Sequence, residues 1–211
     1  MTGQRNVERT LYTEQLKKYI DVPLVKVITG MRRSGKSALL ELFMEELLNT
    51  TDREHLIYIN FEDAEFDFIT GYKELHEHVL SKISDDKRYY IFLDEIQNVK
   101  DWERGVNSLR LRNTDIYITG SNSKLLSSEL STMLAGRYVE FRMHTLSLTE
   151  FIRFRKEYGI GSGDTDEELD AYIRTGGFPL LSKSAFDEQT VRKIITDIHN
   201  SAILRDVIQR H

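Results

Sequence analysis

The segment Gly30-Met31-Arg32-Arg33-Ser34-Gly35-Lys36-Ser37 constrains this chain more than any other. It fits the pattern G-x-x-x-x-G-K-[ST], after a short apolar run from Leu24 to Ile28 and before Leu39, Leu40, Phe43, Leu47 and Leu48 at helical spacing. A glycine-rich turn between a buried strand and a helix is the context in which that pattern cradles phosphate. The glycines let the backbone turn tightly, amides from Arg33 to Ser37 donate to phosphate oxygens, and the helix N-terminus adds favourable potential. Gly30, Arg33, Ser34, Gly35, Lys36 and Ser37 are therefore assigned to phosphate binding, with Lys36 reaching the β- and γ-phosphates and the Ser37 hydroxyl on Mg²⁺. The side chains of Arg32 and Arg33 either touch phosphate or remain solvated.

A second feature raises the value of the first. Tyr89-Tyr-Ile-Phe-Leu93 runs directly into Asp94-Glu95, so two carboxylates appear where a buried strand reaches the ligand edge of a sheet. Asp94 is placed to hold Mg²⁺ through its hydration shell, and Glu95 to accept the proton of an attacking water. Without a phosphate loop the same transition would be a plain solvated strand end. With it, a nucleoside triphosphate and Mg²⁺ are the expected ligands.

Further apolar runs at Leu56–Phe61, Ile116–Ile118 and Tyr138–Phe141 alternate with helical patterns, among them Val106 with Leu109, and Leu126 with Leu130, Met133 and Leu134. Alternation of this kind predicts a mainly parallel sheet covered by helices on both faces, with ligands at the carboxyl ends of the strands. The strand signals stop near residue 146. Ser147 to Glu150 reads as a capping box opening a helix to Tyr158, Gly159–Asp164 as a connector, Asp166–Arg174 as a helix, Gly176-Gly177-Phe178-Pro179 as a turn, and Asp187 as the start of a last helix. The division expected is an N-terminal arm or helix (residues 1–22), a nucleotide-binding core (23–146) and a helical lobe (147–211). No helix-stop residue follows Ile208, which points to a truncated chain with a further domain beyond His211.

Composition narrows the chemistry. The 211 residues contain no cysteine, so thiolate metal sites, disulfides and cysteine nucleophiles are excluded. A formal charge of -5 offers no global attraction for nucleic acid, although a local basic patch still could. No apolar run approaches the roughly 20 residues needed to span a bilayer, and the start lacks a signal peptide's apolar stretch, so a cytoplasmic protein without membrane contact is expected.

Weaker signals keep two readings. Ile116-Tyr-Ile-Thr119 leads into Gly120-Ser121-Asn122-Ser123, where Asn122 or Ser121 either senses the γ-phosphate and orients water or simply caps a helix. Arg137, just before the fifth strand, either stabilises transition-state charge, in its own site or in a neighbouring subunit's, or is solvated. Glu62 and Asp63 read as a solvated strand end, His76 and His78 as surface residues facing different directions, and Trp102 as a helix anchor. The glycine pair before Phe178 either shapes the lobe toward nucleotide or makes an ordinary turn.

Taken together, Gly-Met-Arg-Arg-Ser-Gly-Lys-Ser, Leu-Asp-Glu-Ile-Gln-Asn-Val with Trp102, Thr-Gly-Ser-Asn-Ser, Leu-Ala-Gly-Arg, Leu-Ser-Leu-Thr-Glu-Phe and Gly-Gly-Phe-Pro resemble the archaeal and bacterial AAA-like P-loop ATPases of the additional-strand class, whose full-length members carry a C-terminal domain of unknown function. The resemblance covers nearly the whole chain. It implies an α/β fold, a three-layer αβα sandwich with strand order 5-1-4-3-2, ATP rather than GTP, and the roles given above for Lys36, Ser37, Asp94 and Glu95. The function expected is Mg²⁺-dependent ATP hydrolysis coupled to conformational change in an attached domain or partner. A slow-turnover ATP-dependent switch is the alternative, and a P-loop kinase a weaker one. Partners are expected to be ATP, further copies in a homo-oligomer, and a protein or DNA that the residues do not specify.

Overall fold

The computed structural model describes residues 6–120 and 134–208, with side chains through Asn200. The chain divides into two compact units: Glu8–Gly30 with Lys36–Met143, and His144 onward with Met31–Gly35 and the residues up to Val7.

The first unit is built on the apolar runs. β1 (Val25–Gly30), β2 (Leu56–Asn60), β3 (Tyr89–Asp94), β4 (Thr114–Gly120) and β5 (Tyr138–Met143) form one sheet in the order β2-β3-β4-β1-β5, parallel at every pairing. This is the expected order read from its other edge, with strand ends shifted by a residue or two. Parallel strands are covered on both faces, and the period of two along each strand divides the core accordingly. Val25, Val27, Ile57, Ile59, Tyr89, Ile91, Leu93, Ile116 and Ile118 pack with Leu75 and Val79 of α3 (Tyr72–Lys82) and with Trp102, Val106 and Leu109 of α4 (Trp102–Leu109). Ile28, Leu56, Tyr90, Phe92, Tyr117, Phe141 and Met143 pack the other way, against Tyr12 and Leu16 of α1 (Thr10–Lys17) and Leu39, Leu40, Phe43, Met44 and Leu47 of α2 (Lys36–Leu47). Three layers result. Trp102 is 3% exposed, as its anchoring role requires.

Two histidines depart from expectation. His76 and His78 are half-buried rather than on the surface. Packing of α3 against α4 sets the His76 Nε2 3.1 Å from the Ser108 hydroxyl, and the rings of Phe66 and Phe68 flank His78 at 6.0 and 5.4 Å. Burial pushes the His78 pKa down.

The second unit is helical: α5 (Leu148–Glu157), α6 (Thr165–Thr175) and α7 (Glu188–Ile208). The Ser147 hydroxyl accepts from the Glu150 amide while the Glu150 carboxylate accepts from the Ser147 amide, so the predicted capping box is present. Leu146, Phe151 and Phe154 make a small core, and the buried Glu168 receives the Arg155 guanidinium at 2.7 Å. The Gly176-Gly177 pair is accounted for by backbone needs. Gly176 closes α6 at φ 70°, and a Cβ on Gly177 would lie 2.3 Å from the Leu146 carbonyl oxygen.

A buried ion pair sits at the amino ends of the central strands. The Lys26 ammonium contacts Asp115 and donates to the Val22 carbonyl at 2.8 Å. Asp115 also accepts from the Tyr117 hydroxyl at 3.0 Å and the Asp21 amide at 2.9 Å. Neither charged side chain is more than 1% exposed. Burial pushes the Lys26 pKa down, and Asp115 opposes that shift. Replacing only one partner strands the other charge out of water, which costs about 3–5 kcal/mol. Lys26→Met is therefore expected to lower the free energy of urea unfolding by that amount, whereas Lys17→Met, at a solvent-screened ion pair with Glu46, leaves it nearly unchanged.

Candidate functional site

The loop after β1 enters α2 through three unusual backbone angles. Gly30 has φ 156°, Arg33 64° and Gly35 98°. Gly30 is irreplaceable on a second count. β5 runs beside β1 with Met143 in register opposite Gly30, and a Cβ there would lie 2.4 Å from the Met143 carbonyl oxygen. α2 opens at Lys36, so Lys36 and Ser37 are its first residues. The Lys36 side chain is buried; its ammonium lies 3.3 Å from the Gly30 carbonyl oxygen and 3.5 Å from Glu95 Oε1.

Asp94 is the last residue of β3 and is fully buried. It is one strand away from β1, because β4 lies between them. Burial raises the Asp94 pKa above the usual carboxylate range, and hydrogen bonds from Ser37, Thr119 and Tyr58 act against that rise. Tyr58 donates to Oδ2 at 3.2 Å and Thr119 donates to Oδ1. Glu95 follows in a left-handed conformation, φ 55° and ψ 45°, which directs its amide to the Thr119 hydroxyl oxygen at 3.0 Å. Thr119 thus serves both acidic residues: its hydroxyl hydrogen goes to Asp94 and its lone pair receives the Glu95 amide. The Glu95 carboxylate is further held by Gln97, whose Nε2 donates to Oε2.

Lys36, Ser37, Asp94 and Glu95 are therefore brought together as the sequence predicted. Thr119, Tyr58 and Gln97 join them, a role that neither their residue type nor their spacing announces. For Thr119 alone the chain carries a signal, its place at the end of the next strand, two or three residues before Ser121 and Asn122. Ser121 and Asn122 lie outside the described residues, as does the helical pattern from Leu126 to Met133. Arg137 is not brought to the group. It lies level with the start of β1, where its carbonyl accepts from the Val25 amide at 2.9 Å, and its guanidinium donates to Asn107 Oδ1 at 3.3 Å. The whole of β5, about 20 Å of strand, separates it from the level of Gly30. Glu62 and Asp63 are exposed, and Asp63 caps a short 3-10 turn by accepting from the Glu65 amide.

Ser37 and Asp94 offer only oxygen, the ligand type that a hard cation such as Mg²⁺ takes. Among the described residues one other group has metal-ligand geometry, Asp52, Glu54 and His55. There the Nε2 of buried His55 already bonds Asp85 at 3.2 Å, and its Nδ1 lies 3.8 Å from Asp52. No helix among the described residues is long and apolar enough to cross a membrane.

A family model described as an AAA domain matches residues 23–152. The chain belongs to the AAA-like P-loop ATPases. Relatives include a protein of Haemophilus influenzae, named only as uncharacterized, 38% identical over 207 residues, which covers 97% of this chain and 51% of the relative. Another, from Methanocaldococcus jannaschii and named in the same way, is 33% identical over 217 residues, covering 98% of this chain and 48% of its own length. The chain thus spans about half the length of these curated relatives. Among solved structures, the Walker-type ATPase PABY2304 of Pyrococcus abyssi superposes with a TM-score of 0.63 at 19% identity, over 96% of this chain and 75% of that one. A P216G mutant of Thermotoga maritima RuvB superposes at 0.57 and 16% identity, over 90% and 62%. These likenesses are of fold.

A buried carboxylate that must stay charged is held at a cost to stability. Asp94→Asn is expected to raise the thermal midpoint of the nucleotide-free protein, equivalent to about 1 kcal/mol, and to remove the further rise that Mg²⁺ with nucleotide gives the wild type. Thermal unfolding with and without Mg²⁺-ATP measures both effects.

Proposed function

We propose that the chain binds ATP with Mg²⁺ and hydrolyses it, and that turnover drives a conformational change in an attached domain or partner. The observation that supports this most is the single network in which Lys36, Asp94 and Glu95 meet, Thr119 bonding to both acidic residues and Glu95 Oε1 lying 3.5 Å from the Lys36 ammonium. The roles follow from the chemistry of each group. Backbone amides of residues 33–37 hold phosphate oxygens, and Lys36 moves from Glu95 to the β- and γ-phosphates. Ser37 and Asp94 would hold Mg²⁺, which supplies neutralisation of the charge that develops on the phosphoryl oxygens. Glu95, a carboxylate beside the nucleotide, accepts the proton of the attacking water. Asn122 is proposed to orient that water.

Phosphate release measured at saturating ATP is expected to fall about 100-fold or more in Glu95→Gln, with ATP affinity kept within about threefold. Lys36→Ala is expected to weaken ATP binding at least about tenfold. Equal turnover in wild type and Glu95→Gln would remove Glu95 from its role.

A slow-turnover switch is the second reading, and the place of Arg137 favours it. This arginine lies at the amino end of β5 with its guanidinium on Asn107, so a role at nucleotide would need the site of another copy. The isolated chain is then expected to turn over slowly at low concentration, with specific activity that rises as protein is concentrated. Arg137→Ala should flatten that rise without changing ATP affinity. A specific activity independent of concentration, and unchanged in Arg137→Ala, would exclude transfer of the arginine between copies.

A further inference from the structure

One contact in the acidic cluster is made by a residue that P-loop chemistry does not require. Gln97 sits in the middle of a 3-10 turn, Ile96–Asn98, that begins at Glu95. The turn is anchored on both sides of Gln97. Ile96 is 0% and Val99 2% exposed, the Val99 amide bonds to the Ile96 carbonyl at 3.0 Å and the Asn98 amide to the Glu95 carbonyl at 3.2 Å. A side chain mounted on such a turn has a fixed origin. Its Nε2 donates to Glu95 Oε2, and the reverse orientation of the amide would set oxygen against carboxylate oxygen. The Gln97 Oε1 is buried and takes no hydrogen bond from the described residues, so it is the Nε2 contact that orients the group.

The two oxygens of Glu95 consequently have different surroundings. Oε2 is engaged by Gln97, while Oε1 faces the Lys36 ammonium at 3.5 Å, too long for a hydrogen bond. The backbone of Glu95 is in the left-handed region, at a cost of about 1 kcal/mol for a residue that is not glycine, and its amide is committed to Thr119. Backbone and one carboxylate oxygen are thus both immobilised. When Lys36 turns to phosphate, Oε1 is released while Oε2 stays engaged by Gln97.

We infer that Gln97 is a positioning residue that clamps one oxygen of Glu95 so that the other is presented to the attacking water. This rests on the reading of Glu95 as the base for ATP hydrolysis. Gln97 touches neither nucleotide nor water in this scheme and acts through Glu95. Removing its amide lets the glutamate carboxylate swing within its rotamers, which lowers the fraction of time spent in the productive geometry and leaves nucleotide binding alone.

The test is steady-state ATP hydrolysis by wild type, Gln97→Leu, Glu95→Gln and the double variant, with ATP affinity measured separately by calorimetry. Gln97→Leu is expected to lower kcat about tenfold while KM and the ATP dissociation constant stay within about twofold. In the Glu95→Gln background the same change is expected to alter the residual rate by less than about twofold, since its effect passes through the missing carboxylate. Gln97→Glu keeps the size of the side chain and sets a like charge against Glu95, so a loss at least as large supports the inference if the leucine variant does not fold. A kcat within about twofold of wild type in both Gln97 variants, with Glu95→Gln still strongly impaired, overturns the inference and leaves the ATPase reading standing. An equal loss from Gln97→Leu in both backgrounds also overturns it, because the effect would not pass through Glu95. Wild-type turnover in Glu95→Gln removes the ATPase assignment of Glu95 and the inference together.

Discussion

Asp94 is a carboxylate with no access to solvent, and the arrangement of the phosphate-binding end of the sheet follows from keeping it there. A buried charge needs donors, and three elements supply them: β4 through Thr119, β2 through Tyr58 and the start of α2 through Ser37. Each donor draws its own element toward β3. Thr119 does more than the other two, since the same oxygen that donates to Asp94 receives the amide of Glu95. A left-handed residue at the end of a strand is otherwise an isolated cost; here its amide has a partner waiting. The backbone of Glu95 is therefore held by a residue on a different strand.

The opposite end of the sheet solves a similar problem differently. Lys26 and Asp115 compensate each other, and the Tyr117 hydroxyl, the Val22 carbonyl and the Asp21 amide complete the set. That network is closed, with both charges internal to the protein. Among the described residues the Asp94 network has hydrogen-bond donors and Lys36 nearby but no cation paired directly with the carboxylate. Tyr117 links the two regimes physically: its ring stacks on Phe92 at 4.9 Å, two residues before Asp94, and its hydroxyl serves Asp115. Both ends thus share one rigid central pair of strands.

Much of this was legible from the chain alone. The phosphate loop, the acidic pair and the alternation of strand and helix are local patterns, and locality is why they can be read: a turn needs glycine, a strand buried on both faces needs continuous apolar residues, a capping box needs Ser147 and Glu150 three apart. The contacts of Thr119, Tyr58 and Gln97 with the acidic pair were not legible. Threonine at a strand end and tyrosine within a strand are ordinary strand residues, and what distinguishes them is the neighbour each acquires from another strand. Gln97 is close to Glu95 in sequence, yet its contact depends on the left-handed turn at Glu95, which no side-chain pattern announces.

Arg137 shows the division from the other side. An arginine before the fifth strand is a reasonable candidate for phosphate contact when only order along the chain is known. Parallel pairing of β5 with β1 then decides that the start of one strand lies beside the start of the other, so Arg137 and Gly30 fall at opposite ends of the pair. By itself the sequence determined which residues have the chemistry to bind phosphate, hold a cation and take a proton, because those capacities belong to side chains and short turns. Which of them meet, and which residue aims Glu95, was decided by the tertiary structure, since strand order and register set distances that no spacing along the chain contains.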